Sequence, residues 1–163
     1  ISANATLDDP AGMNVVKAAT AAEMKSAVVK AVKKADVLLM AAAVADYQAE
    51  NVAKNKIKKE SKDGLTIKLV KTPDILGEVK GNFIKVGFAA ESENLLANAK
   101  KKLTNKKLDM IVANDITKAD SGFDVDTNRV ILIDKKGKAE ELPLMSKREA
   151  AEKILDRVKS LLK

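Results

Sequence analysis

Between positions 37 and 43 the chain reads VLLMAAA, an unbroken apolar run with no polar alternation. A strand that shows one face to water alternates; a run like this fits a parallel strand covered on both sides. Parallel strands need crossover connections, usually helical, so the run commits the chain to alternating strands and helices. The run gives way to Asp46 and Tyr47, and ten residues beyond that aspartate stand Lys56, Lys58 and Lys59, with Lys54 just before them. An acid delivered at the tip of a buried strand, followed by a mobile basic segment, suits the handling of a phosphate.

The rest of the chain fits this frame. Positions 4–13 are loop-like, with Pro10 and Gly12, and 14–17 predicts a short strand. Thr20 and Glu23 have the spacing of a capping box. The helix it opens, about 21–34, places Met24, Ala27, Val28, Ala31 and Val32 on one face. Positions 48–63 are polar and charged, and 65–70 alternate as a half-exposed strand. Thr72 and Pro73 predict a cap and first-turn proline opening a short helix. A buried strand at 84–89, a lysine-rich helix near 95–106 and a short strand at 110–113 follow. Asp134 to Gly137 would turn a hairpin between 128–133 and 139–142. Ser146 and Glu149 form a second capping box before an amphipathic helix at 147–162. The expected class is therefore α/β, with a mainly parallel sheet and a C-terminal β-hairpin. Ligands of such sheets bind at the carboxyl ends of the strands. Three expected ends carry candidates on one edge: Ala45 to Tyr47, Phe88 to Glu91, and Ala113 to Asp115.

Composition narrows the chemistry. The 163 residues predict a single domain with a real core. No Cys and no His are present, which removes thiolate metal sites, a Cys nucleophile and the commonest general base. Catalysis would then use carboxylates, Lys or Arg, Asn, hydroxyls and backbone N–H groups, the means by which phosphoryl and nucleotidyl transfers are positioned and neutralised. The formal charge of +7 suits anionic partners without separating nucleic acid from small phosphates. One Tyr, three Phe and no Trp leave little for bases to stack on, so nucleic acid is not an expected partner. No apolar run is long enough to span a membrane and no signal peptide is visible, so a cytoplasmic location is expected. The chain opens on Ile1-Ser2-Ala3 without Met, which reads as a fragment or a processed product. Neither a P-loop nor a G-x-G-x-x-G is present.

Each candidate has a plainer reading beside the functional one. Asp46 is a helix cap or solvated strand end, or an acceptor for a ribose or base N–H, or a Mg²⁺ ligand. Lys54, Lys56, Lys58 and Lys59 form a solvated loop, or two ammonium groups on one side of an extended segment meeting one polyphosphate. Lys102 and Lys106, one helical turn apart, serve solubility or clamp a phosphate. Asp124 and Asp126, after Gly122 and Phe123, make a loop; two aspartates alone do not make a metal site.

In order along the chain, AAAVADY at 41–47, KIKK at 56–59, LVKTPDIL at 69–76, VGFAAE at 86–91, KKLDMIVAND at 106–115 and GFDVDTN at 122–128 resemble the phosphopantothenate–cysteine ligase (phosphopantothenoylcysteine synthetase) family. In bacteria this synthetase is often fused behind a flavin-dependent decarboxylase. The resemblance implies a Rossmann-like fold, a homodimer and a CTP-dependent ligase with Mg²⁺ accompanying the nucleotide. The carboxylate of 4'-phosphopantothenate attacks CTP to give an acyl-cytidylate and pyrophosphate, and the L-cysteine amine then displaces CMP. Flavin mononucleotide would belong only to a fused decarboxylase domain outside this chain.

Carried over by position, the resemblance implies nucleotide contacts at Met40, Ala41, Ala42 and Asp46, with Asp46 on the cytidine or ribose side. Lys56 would be the catalytic lysine of a mobile flap, 48–63, that closes over the triphosphate. Pro73, Asp74, Ile75 and Leu76 would surround the base, and Phe88 would pack on the nucleotide. Lys102 and Lys106 would contact phosphates, and Ala43 would lie near phosphopantothenate. Metal ligands are not implied at any position. Thr72 stands where family members often have Asn. The family's opening βαβ part, with its glycine-rich turn and Ser-Asn motif, has no counterpart here. A non-catalytic nucleotide-binding or dimerisation fragment is therefore the alternative expectation.

Overall fold

The computed structural model describes residues 1–5, 7–58, 64–117, 120 and 125–162. In chain order the elements are α1 (Ala21–Ala31) with a 3-10 turn (Val32–Lys34), β1 (Val37–Met40), β2 (Tyr47–Ala49), β3 (Leu69–Lys71), α2 (Ile75–Glu78), β4 (Ile84–Glu91), α3 (Leu95–Asn105), β5 (Met110–Asp115), β6 (Thr127–Asn128), β7 (Val130–Asp134), β8 (Ala139–Glu141), β9 (Met145–Ser146) and α4 (Lys147–Leu161). The chain divides into two compact units, Ile1–Val28 with Ala42–Ile75, and Val29–Ala41 with Leu76–Lys163.

The second unit is built on a five-stranded sheet in the order β1-β4-β5-β7-β8. Strands β1, β4 and β5 are parallel, with Met40 opposite Gly87 and Glu91 opposite Asp115. Strands β7 and β8 are antiparallel to their neighbours. Side chains alternate between faces. Val86, Met110, Val112, Val130 and Leu132 form one core cluster with Ala150, Ile154 and Val158 of α4. Ala89, Ile111, Ala113 and Ile133 form another with Ala99 and Leu103 of α3, and Leu76 joins it. A helix on each face of a mostly parallel sheet is the α/β, Rossmann-like class expected, and the C-terminal hairpin is present. Its turn is local chemistry: Asp134 accepts from the N–H groups of Lys136 and Lys138 at 2.9 and 3.0 Å, and Gly137 takes φ +80°. The Ser146–Glu149 capping box forms at the start of α4. The Ser146 hydroxyl and N–H donate to the Glu149 carboxylate, which holds its pKa below the ordinary carboxylate value.

One expectation for this unit needs correction. β1 ends at Met40 rather than reaching position 43, and it is half-buried, with Leu39 37% exposed. It is the outermost strand of the sheet among the described residues, paired with β4 as far as Gly87. Beyond that point β4 runs on beside β5.

The first unit buries Ala18, Met24, Val28 and Ile75. Its ribbon pairs β2 with β3 antiparallel, Gln48 opposite Val70. β2 was expected to be the start of a polar segment, and β3 is shorter than the strand expected at 65–70. The alternation there is real, but its apolar side is the exposed one: Leu65, Ile67 and Leu69 are 64%, 59% and 56% exposed. The strand expected at 14–17 is reduced to one parallel bridge, Ser2 to Lys17. At α1, the Thr20 hydroxyl accepts from Glu23 N–H at 3.2 Å. The Glu23 carboxylate accepts from Ala19 rather than from Thr20, so the box closes one residue early. Thr72 does not cap α2. Its N–H donates to the Asp46 carbonyl at 2.9 Å and its hydroxyl to that of Ala45, extending the ribbon pairing instead.

Candidate functional site

In the first unit, the loop after β1 and the start of α1 enclose a cavity of about 540 Å³. Ala42 and Ala43 line it with Asn4, Thr20, Tyr47 and Thr72. Small side chains on one wall and hydroxyls on the others leave room for an organic ligand with a polar end. The two Thr72 bonds tie the 42–46 loop to β3, so the Ala-rich wall is held by backbone geometry. Asp46 is exposed at the end of this loop and not at a strand tip. Lys54, Lys56 and Lys58 are exposed on an irregular stretch. Lys59, the rest of the flap to position 63, and Gly122, Phe123 and Asp124 lie outside the described residues. Asp74 is exposed, Pro73 half-buried and Ile75 2% exposed, so Ile75 has only its backbone to offer a ligand.

In the second unit, the carboxyl ends of β4 and β5 lie side by side, as expected for two of the three strand ends. Lys102, on α3, donates from Nζ to the Phe88 carbonyl at 2.8 Å. Its charge therefore stands against the C-terminal half of β4, three residues short of that strand's end. Lys106 follows one turn later, its N–H bonded to the Lys102 carbonyl at 3.0 Å. The Phe88 ring packs against the core cluster beneath α4. At the tip of β4, Asn98 donates to the Glu91 carboxylate and to the Glu93 carbonyl, each at 3.1 Å. At the tip of β5, the Asp115 carboxylate accepts from the Thr117 N–H at 2.9 Å and hydroxyl at 2.6 Å. Met40 is half-buried, Ala41 exposed and Leu76 buried. A groove of about 930 Å³, lined by Asn94, Leu96, Asp115, Arg129 and Glu141 among others, also lies in this unit.

Sequence reasoning missed the partners that hold these groups. Thr20 was visible only as a cap, and Asn98 only as part of a lysine-rich helix. Lys85, buried inside β4, carried no signal beyond being a charge within an apolar strand. Among the described residues, no group of three or more His, Cys, Asp or Glu is placed to hold a metal ion. No helix there is long and apolar enough to cross a membrane.

Residues 1–162 match the family described as the DNA/pantothenate metabolism flavoprotein C-terminal domain. The chain is 41% identical over 167 residues to the coenzyme A biosynthesis bifunctional protein CoaBC of Bacillus subtilis, covering 100% of this chain and 41% of that protein. It is 41% identical over 153 residues to the protein of the same name from Borreliella burgdorferi, covering 91% of this chain and 38% of the other. It thus spans about two fifths of the length of these curated relatives. A crystal structure of the C-terminal domain of a CoaBC protein superposes with a TM-score of 0.79 at 34% identity, covering 98% of this chain and 71% of that one. With the ordered motifs and the helix-flanked sheet, these similarities place the chain in the DNA/pantothenate metabolism flavoprotein C-terminal domain family, alongside the C-terminal domains of CoaBC proteins.

Proposed function

We propose that this chain ligates 4'-phosphopantothenate to L-cysteine at the expense of CTP, as a step of coenzyme A biosynthesis. The observation that carries the reading is the kinship, over 98% of the chain, with the C-terminal domain of a coenzyme A biosynthesis bifunctional protein. Lys102, bonded to the Phe88 carbonyl in the C-terminal half of β4, supports it, since α/β sheets take their ligands toward the carboxyl ends of their strands.

In the first step a carboxylate oxygen of phosphopantothenate attacks the α-phosphorus of CTP. The bond to the bridging oxygen breaks, and pyrophosphate leaves with the acyl-cytidylate formed. In the second, the cysteine amine attacks the acyl carbon; the amide bond forms, CMP departs and the amine gives up a proton. Neither step asks for an imidazole or a protein thiol, and the chain has neither. Both bring negative charge together, which the protein must neutralise. Lys102 on α3 and Lys106 at its C-cap serve the phosphates. Lys56 serves the triphosphate from the flap and acts in acyl-cytidylate formation. Asp46 accepts from the ribose or base, and Pro73, Asp74, Ile75 and Leu76 offer backbone to the cytosine. Phe88 packs on the nucleotide, Met40, Ala41 and Ala42 contact it through backbone, and Ala43 lies on the phosphopantothenate side. CTP enters as its Mg²⁺ complex, the metal riding on the triphosphate. The working protein is a cytoplasmic homodimer, joined to a decarboxylase domain that holds the flavin.

The test is pyrophosphate release by the protein carrying this chain, with CTP, 4'-phosphopantothenate and cysteine supplied together or singly. Release needing CTP and phosphopantothenate, and product needing cysteine as well, are the expected results. Calorimetric CTP binding with no turnover would instead mark a non-catalytic nucleotide-binding module.

A further inference from the structure

Among the described residues, Lys85 is the charged side chain that lies buried, the second residue of β4 and the first of three buried positions in a row there. A buried ammonium is costly unless it is hydrogen-bonded. Here Nζ donates to the carbonyls of Leu76 at 3.1 Å and Val79 at 2.7 Å. Those carbonyls belong to the second residue of α2 and to the residue just past its end, and a helix of four residues leaves such acceptors to find partners outside it. Two residues along the same strand face is Gly87. A Cβ there would come within 2.8 Å of a Leu76 methyl and 2.8 Å of a Leu108 methyl. One residue of the face thus bonds the Leu76 backbone, and the next lets its side chain pack closely, where any Cβ would require the Leu76 or Leu108 methyls to shift. Leu76 is gripped twice by one strand.

We propose that Lys85 is a positioning residue for nucleotide binding: it fixes the Leu76–Val79 turn, and with it the last residue of the segment that addresses the base. This rests on the proposed CTP-dependent reading. Lys85 touches no substrate. Its ammonium donates to both carbonyls of the turn, so its loss should loosen the turn and weaken nucleotide affinity while leaving the chemical steps intact.

Lys85→Met keeps the aliphatic stem and removes the donor. In the intact ligase, K85M should raise KM for CTP about tenfold, on the scale of one hydrogen bond to a charged group. The kcat at saturating CTP and the KM for cysteine should stay within about twofold, well below that loss. Amide exchange should accelerate at 76–79 and not in β5. Lys85→Gln, which keeps one donor, should fall between. Should K85M fail to fold, K85Q is judged by the same split between KM and kcat. An unchanged KM for CTP, or a fall in kcat at constant KM as expected of a smaller folded fraction, overturns the assignment. A wild-type protein that neither binds nor uses CTP overturns the functional reading and this inference together, whereas wild-type turnover with an indifferent K85M removes Lys85 alone.

Discussion

In the second unit Val86, Met110, Ile111 and Ile133 are fully buried, whereas in the first Leu65, Ile67 and Leu69 stand more than half exposed. The contrast follows from what each unit can cover. A sheet with α3 on one face and α4 on the other hides both sides of β4 and β5. A two-stranded ribbon has too little partner surface to hide either. The candidate residues inherit this difference. Lys102 hangs from a helix whose other face is core, and it is bonded to a strand carbonyl. Asp46 and Lys56 stand exposed on irregular segments. Groups of the first kind are positioned before any ligand arrives; groups of the second kind carry little of the fold and are free to change without unfolding it.

The contrast breaks most visibly in the core. Ile111→Ala should cost about 2–5 kcal/mol of unfolding free energy, measured by urea denaturation, because it empties a fully buried site between β5 and α3. A cost below about 1 kcal/mol would mean the sheet is not the stable body described. Lys56→Gln is the converse. It should leave the denaturation midpoint in place yet slow turnover roughly a hundredfold, the scale of one lost electrostatic contact in a transition state. Wild-type turnover would remove Lys56 from the chemistry. Asp46→Ala should weaken CTP binding about tenfold with little change in kcat, read by calorimetry and steady-state kinetics; equal affinity would leave Asp46 a solvated loop end. The smallest effect is at α4. The Glu149 pKa is depressed in the folded protein by its bonds to Ser146. Its contribution is therefore full above the ordinary carboxylate value of about 4.3 and fades as pH falls through the lower folded value. Glu149→Ala should lower the melting midpoint by about 2 °C at neutral pH, with the gap closing as pH falls below the ordinary carboxylate range. A gap that does not narrow would show that the capping box is not formed in solution.

The parts of the fold legible in sequence were those governed by local rules. β4 and β5 announced themselves as apolar runs, the β7–β8 turn through Asp134 and Gly137, and α4 through Ser146 and Glu149. β2 was hidden because Tyr47, Gln48 and Ala49 carry no alternation of their own. They become a strand only through pairing with residues some twenty positions later. Thr72 followed the same logic: a helix cap by local spacing, it is drawn instead into the ribbon by the carbonyls of Asp46 and Ala45. The candidate site divided likewise. Its lysines and Asp46 were visible as residue types in ordered motifs. The bond from Lys102 to Phe88, that from Asn98 to Glu91, and the grip of Lys85 on Leu76 join elements that only the sheet brings near.

Tyr47 opens β2 and lines the cavity of the first unit, and it is the one tyrosine in a chain without tryptophan. The intrinsic ultraviolet emission of this chain therefore comes almost wholly from a single phenol at the wall of that cavity. Ligand entry there can be followed by tyrosine fluorescence on the unlabelled chain, the second unit adding only the weak emission of phenylalanines such as Phe83 and Phe88.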